Sequence, residues 1–333
     1  MTPRLPAALA AALLAGAAFA APDSFEARPD VRAFIEEMVQ RHGFVANELE
    51  FLFRRARSRA DVLRAIEPPK VPRERSWQTY RARFVNDTRI RGGVAFWSRY
   101  ATTLARASRE HGVPEEIIVA IIGVETLYGR QTGSFRVVDA LATLAFDYPP
   151  RAPFFRSELE QYLLLARDEA FDVFSVKGSY AGAIGIPQFM PGSIRRYAVD
   201  YDGNARIDLR ASPLDAIGSV GNFLRMHGWQ PGEAIWAPAR INGDSHRALL
   251  AAGIRPSIRV ADLRGVEVGG GVTLRPDAKV ALIALESPAA ETEYRLGLEN
   301  FYVLTRYNRS SLYASAVADL ASAVRMARRG QPR

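Results

Sequence analysis

Residues 113–129, VPEEIIVAIIGVETLYG, leave the chain little choice of local structure. Pro114 suits the first turn of a helix, Glu115 and Glu116 complement the positive end of its dipole, and Gly129 offers a left-handed residue to stop it. Between them Ile117, Ile118, Val119, Ala120, Ile121, Ile122 and Val124 are apolar on every face, which predicts a helix buried inside a core. Glu125 interrupts it. At helical spacing Glu125 falls in line with Ile117, Ile121 and Ile122, near the end where a buried helix can open into a cleft. Burial disfavours the ionised carboxyl and raises its pKa, the condition under which a Glu serves as a general acid near neutral pH. The same position also fits a structural Glu, paired with a buried Arg or capping a neighbouring helix.

The chain is long enough to bury such a helix: 333 residues with 48% hydrophobic content allow one large core or two smaller ones. The first twenty residues differ from the rest. Arg4 supplies a positive start, Leu5 to Phe19 form an Ala/Leu run, and Ala18-Phe19-Ala20 places small residues around a cleavage site. This is read as a cleaved Sec-type signal peptide over 1–20, and the mature protein as periplasmic. The apolar run is short for a bilayer, and no transmembrane span is read elsewhere. The chain has no Cys, so it offers no lipid-anchoring cysteine, disulfide, thiolate metal site or Cys nucleophile. Its formal charge of +8 is carried almost wholly by Arg. Without a helix-turn-helix, zinc finger or phosphate loop, an anionic wall or membrane surface fits that charge better than nucleic acid. Genomic base composition accounts for an Arg-rich surface equally well.

Read in order, the fold class is α+β, mainly α. A helical part spans 24–112, with helices at Val31 to His42, Ala46 to Arg57, Arg59 to Ile66 and Phe96 to His111, broken by Pro68, Pro69 and Pro72. A core follows over 113–230, with helices at Asp139 to Phe146, Pro153 to Asp168 and Asp215 to His227 around a Gly- and Pro-rich loop that begins at Lys177. A small β-containing part over 231–300 is read from Ile258 to Val260, Val266 to Val268, Val272 to Leu274 and Val280 to Leu285. The last part, 301–333, holds a strand or loop at Phe301 to Leu304 and an Ala-rich helix from Ser311 to Arg325 that returns to the helical body.

The four histidines show no metal-ligand spacing, and no G-x-S-x-G elbow occurs, which argues against zinc and Ser-His-Asp chemistry. Carbohydrate cleavage fits better. Glu125 is a candidate acid; Ser179, Gln188 and Asn308 are neutral hydrogen-bonding groups in loops. Tyr80, Tyr128, Tyr180, Tyr307 and Tyr313 offer rings to sugar faces or, equally, to ordinary packing. A hydrolytic glycosidase needs a second carboxylate about 5 to 9.5 Å from the first. Asp139, Asp147 and Asp172 are the nearest candidates in sequence, each also suited to capping a helix. Asp200, Asp202, Asn204 and Asp208 stand at positions one, three, five and nine of an EF-hand-like loop, and Arg206 can offer its carbonyl at seven. Ala205 replaces the usual Gly at six and Ala211 the usual Glu at twelve, while Asp215 stands a little further on to close the shell. The loop is read as a structural Ca²⁺ or Na⁺ site, against a plain acidic turn.

Taken together, Gly123-Val124-Glu125-Thr126 with Gly129, Ser179 to Gly185 with Pro187-Gln188-Phe189-Met190-Pro191, Asp215 to Ser219, and Phe301 to Asn308 resemble the membrane-bound lytic transglycosylase B family in order and spacing. The resemblance covers nearly the whole mature chain. It implies a lysozyme-like core and non-hydrolytic cleavage of the β-1,4 bond between N-acetylmuramic acid and N-acetylglucosamine, giving 1,6-anhydro ends. Glu125 matches the catalytic Glu of that family, acting first as acid and then as base. Ser179 and Gln188 match positions lining the site; Tyr80, Tyr307, Asn308 and Tyr313 match sugar contacts; and Asp200, Asp202, Asn204, Arg206 and Asp215 match the metal loop. The implied partners are peptidoglycan strands and cell-wall synthesis proteins, with no cofactor needed for catalysis. Two departures stand out. Ile184-Gly185-Ile186-Pro187 has Ile and Pro where such proteins more often carry Met and Gly, and Phe223 stands where Tyr is common. A hydrolytic muramidase and a non-catalytic peptidoglycan-binding scaffold remain as alternatives; the first needs a second carboxylate, the second no buried acid.

Overall fold

A computed structural model describes residues 25–67, 76–244, 246–288 and 290–330, which fall into two compact units divided between Arg59 and Ala60. That boundary lies inside the stretch 24–112 that the sequence suggests as one helical part. The leader at 1–20 and Pro68, Pro69 and Pro72 lie outside the described residues.

In the first unit, α1 (Pro29–His42) and α2 (Ala46–Arg55) enclose Phe34, Met38, Leu49 and Phe53. Gly43, at φ +66°, ends α1 and returns its N–H to Val39 O at 3.0 Å. Phe25 and Phe34 each set a ring edge-on to Phe53, at 6.5 and 5.9 Å between centroids.

The second unit begins with α3 (Ala60–Ile66), α4 (Trp77–Phe84), α5 (Asp87–Arg99) and α6 (Ala101–His111). Side-chain caps start two of them: Ser76 Oγ accepts from Thr79 N at 3.3 Å, and Asn86 Oδ1 from Arg89 N at 3.1 Å. The single helix expected from Phe96 to His111 is two, because the backbone turns at Tyr100. Next comes α7 (Glu115–Thr126), with every residue from Ile117 to Val124 buried. Pro114 precedes it as N-cap rather than entering its first turn. It also stops before Gly129. Leu127 is already left-handed at φ +51°, and the N–H groups of Leu127 and Tyr128 close on Gly123 O and Ile122 O in the double bond of a Schellman ending.

A two-residue ribbon of β1 (Phe135–Arg136) leads into α8 (Val137–Phe146) and α9 (Ala152–Asp168), and pairs with β2 (Lys177–Gly178). The Gly-rich loop then runs to α10 (Pro191–Tyr197), and the acidic loop to α11 (Pro213–Met226). Helices α5, α6 and α11 pack around α7, while α8 and α10 pack on α9.

The chain then forms β3 (Trp236–Ile241), α12 (His246–Ala251), β4 (Ile258–Arg259), β5 (Val266–Val268), β6 (Lys279–Ser287) and β7 (Ala290–Gly297). The five strands make one antiparallel sheet in the order β4-β6-β7-β3-β5, with Val266, Val280, Leu282, Leu296 and Leu298 at its core. Val272 to Leu274 is no strand; it follows a Gly269-Gly-Gly271 turn, and Leu274 folds onto the sheet core as part of a loop. Phe301 to Leu304 is neither strand nor loop but the middle of α13 (Glu299–Tyr307), because Phe301, Leu304 and Thr305 bury one helical face. Finally α14 (Ser311–Arg329), capped by Ser310 Oγ on Tyr313 N at 3.2 Å, lies against α7 and α5.

Candidate active site

Glu125 occupies the last turn of α7, with its residue only half-buried while its carboxyl sits among aromatic side chains. Desolvation dominates there and pushes its pKa up to about 7, against the opposing effect of one hydrogen bond. That bond comes from the Tyr313 hydroxyl, which donates to Glu125 Oε1 at 2.7 Å. The capping of α14 sets it up: Ser310 fixes the first turn, and Tyr313 leaves that turn pointing at α7. Burial, and then the Glu125 carboxylate, raise the pKa values of Tyr307 and Tyr313 well above the phenol range, and of Tyr80 more modestly. These three hydroxyls therefore stay neutral donors.

Of the residues selected from sequence, Tyr80, Tyr307 and Tyr313 surround Glu125. Tyr307 stacks near-parallel on Tyr313, 6.3 Å between centroids, and donates to Pro187 O at 2.5 Å rather than to the acid. Its other contacts are Phe189 at 5.7 Å and Phe223 at 4.9 Å. Phe223 also stacks on His227 at 4.1 Å, so the ring standing where a Tyr was expected fills an aromatic cluster. Gln188 sits at φ +51°, an uncommon backbone for this residue, and its Nε2 donates to Thr132 O and Gly185 O at 3.1 and 2.9 Å. Gly185 itself is at φ +75°, where a Cβ would fall 2.3 Å from Leu209 O. Ser179 closes its own turn, accepting from Ala183 N at 3.0 Å. Asn308 ends α13 and is exposed. Tyr180 is exposed too, whereas Tyr128 is taken up in packing against Phe96.

The sequence places Thr126 in the motif around Glu125 but assigns it no role. Fully buried next to the acid, its hydroxyl accepts from Gly129 N at 3.0 Å and donates to Ile186 O at 2.8 Å, tying the end of α7 to the Gly-rich loop.

None of the three candidate second carboxylates joins this group. Asp139 is buried in α8 and paired with Arg136 at 2.6 Å; Asp139 and Asp172 both act on Tyr162. Asp147 caps the end of α8. Among the described residues, the hydrogen-bond partner of Glu125 is Tyr313.

In the acidic loop, carboxylate oxygens of Asp200, Asp202 and Asp215 lie within 4.8 Å of one another. Asp215 is buried and accepts from Tyr201 N and Asp208 N, both at 2.8 Å; Asp200 accepts from Gly203 N and Ala205 N at 2.8 and 2.7 Å. Burial opposes ionisation of Asp200, but those backbone donors outweigh it and hold the carboxyl below its ordinary range. Ala205 takes the left-handed conformation, φ +66°, that a Gly would supply. Asn204 Oδ1 accepts from Arg206 N at 2.9 Å. Three anionic groups held this close by donors that leave lone pairs free suit a hard cation with oxygen ligands.

Residues 26–322 match the family described as Transglycosylase SLT domain. Over 313 residues the chain is 41% identical to the membrane-bound lytic murein transglycosylase B of Escherichia coli (strain K12), covering 91% of this chain and 85% of that one. The crystal structure of the soluble lytic transglycosylase SltB1 from Pseudomonas aeruginosa superposes with a TM-score of 0.84 at 48% identity, covering 91% of this chain and 100% of that chain. The Escherichia coli lytic transglycosylase Slt35 in complex with calcium gives 0.77 at 40% identity, with 91% and 94% covered.

Proposed function

The chain belongs to the transglycosylase SLT domain family, as a lytic transglycosylase of peptidoglycan with a lysozyme-like core, and from that premise we propose that Glu125 carries the reaction alone. The observation that supports this is a carboxyl desolvated to a pKa of about 7, with a tyrosine hydroxyl as its hydrogen-bond partner. Protonated, Glu125 gives its proton to the oxygen linking N-acetylmuramic acid C1 to N-acetylglucosamine as that bond breaks. The resulting carboxylate then takes the proton of the muramyl 6-hydroxyl while O6 bonds to C1. The ring closes, no water is consumed, and Glu125 ends protonated. An internal nucleophile removes the need for the second carboxylate that a hydrolase requires.

Tyr313 holds the acid in place, and Tyr80 and Tyr307 line the sugar face beside it; Ser179, Gln188 and Asn308 stand as the polar contacts further along the glycan. Asp200, Asp202, Asn204, the carbonyl of Arg206 and Asp215 hold a Ca²⁺ whose contribution is to stiffen the loop before α11. No step of the reaction uses it. No helix among the described residues is long and apolar enough to cross a membrane, and the signal-like sequence of residues 1–20 supports export to the periplasm.

Glu125→Gln keeps the shape and removes the proton donor. Release of soluble fragments from purified peptidoglycan is expected to fall roughly 10²- to 10⁴-fold with an unchanged melting profile. Cleavage at the native rate would overturn the assignment.

A further inference from the structure

Arg89 is used by no step above, yet it touches both helices that bring Glu125 and Tyr80 together. Its Nε donates to Gly123 O at 3.1 Å, on the turn of α7 that carries Glu125. Its Nη1 donates to Arg83 O at 2.9 Å, at the end of α4. The guanidinium lies 5.2 Å from the centroid of Phe84, whose ring packs at 4.9 Å on Tyr80. From the other side, the Tyr128 hydroxyl donates to the carbonyl of Arg89 at 2.7 Å. Tyr128 is left-handed at φ +61°, and its ring fills a slot that only glycines allow: a Cβ on Gly92, Gly93 or Gly123 would stand 2.8, 2.6 or 2.5 Å from it. The end of α7 is thus pinned to the end of α4 through one planar fork and one phenol.

We propose that Arg89, braced by Tyr128, is a positioning residue for the transglycosylase reaction, fixing the acid on α7 relative to the sugar-facing Tyr80 on α4. The inference rests on the reading of Glu125 as the acid. Two carbonyls from different helices are met by two nitrogens of one rigid guanidinium, which a lysine ammonium on a flexible stem cannot reproduce. Displacement of a reacting group by about an ångström costs on the order of 10²-fold in rate.

The test is steady-state cleavage of soluble, uncrosslinked glycan strands by Arg89→Lys, Arg89→Ala and Tyr128→Phe, with melting temperature recorded for each. Arg89→Lys is expected to lower kcat by roughly ten- to hundredfold and to leave KM within about twofold. Tyr128→Phe shifts kcat the same way by less, and the double variant loses less than the product of the two. Low concentrations of guanidinium chloride, but not sodium chloride, restore part of the rate of Arg89→Ala. A normal kcat with only a lowered melting temperature, or a raised KM with kcat intact, would overturn the brace. Should Arg89→Ala fail to fold, Arg89→Lys and Tyr128→Phe still decide. Glu125→Gln is run alongside: if it cleaves, the reading of the acid falls, whereas an inactive Glu125→Gln beside a fully active Arg89→Lys removes the brace alone.

Discussion

One hydroxyl stands between Glu125 and a still more perturbed pKa. Desolvation raises the carboxyl to about 7, and the Tyr313 O–H, donating to Oε1, favours the ionised form and holds it from going further. Removing that donor in Tyr313→Phe therefore raises the pKa again, so the protonated acid survives to higher pH. The alkaline limb of the kcat/KM profile, where the acid loses its proton, is expected near pH 7 in the native protein and about one unit higher in the variant. A limb that stays put or moves down would contradict this account of the site. Glu125 stands out in the sequence because a carboxyl directly after the apolar run from Ile117 to Val124 is costly to bury and so points to a task. Tyr313 and Tyr307 were legible only as candidates, since a ring in a sequence does not say which way it turns. Ser179 shows the limit: a hydroxyl in a Gly-rich loop reads as a ligand contact, and the sequence does not show that its oxygen also accepts from Ala183 N within its own turn.

Elements were legible where one face or all faces were unambiguous. Helix α7 followed from its apolar run, and α14 from its Ala-rich composition. Helix α13 was misread because Phe301-Tyr-Val-Leu304 fits a short strand and a helical turn alike, and only burial against β7 and α14 selects the turn. Strands β3 and β7 escaped notice for opposite reasons. Pro238 sits within β3, a residue disfavoured between two paired neighbours. In β7, polar residues from Glu291 to Glu293 conceal the alternation until Tyr294. The acidic loop read clearly by spacing, although it forms with Ala205 in place of Gly. Its prediction belongs to this scale. Ca²⁺ at about a hundred times its Kd is expected to stabilise the protein by about 2.7 kcal/mol, seen as a calcium-dependent rise in melting temperature that Asp202→Ala abolishes. Asp202 is the cleaner probe, because Asp215 also holds buried backbone N–H groups. A rise that persists in Asp202→Ala would remove the metal from this loop.

In the whole second unit, the sheet is fastened to the helices by a buried charge. Arg295 on β7 is 2% exposed, pairs with Asp319 on α14 at 2.8 Å and with Glu293 at 2.6 Å, and lies 3.9 Å from the Trp236 ring centroid. Trp77 on α4 completes the cluster by donating to Glu293 at 2.9 Å. Around it runs a cleft of about 1040 Å³ between the sheet, α4, α14 and the start of α7, away from Glu125. Arg295→Met leaves Asp319, among the described residues, with the half-exposed Arg81 as its ion-pair partner, and is expected to cost about 3 kcal/mol in denaturant unfolding; a loss below about 1 kcal/mol would mean the pair is dispensable. Nothing in the sequence pattern revealed this fastening, because its partners lie far apart along the chain. The central claim is that Glu125 cuts without water. It is tested most directly by digesting purified peptidoglycan in ¹⁸O-enriched water and weighing the released fragments. Fragments one water lighter than hydrolytic products, and free of ¹⁸O, are expected; full-mass reducing ends carrying ¹⁸O would contradict the account and require a second carboxylate.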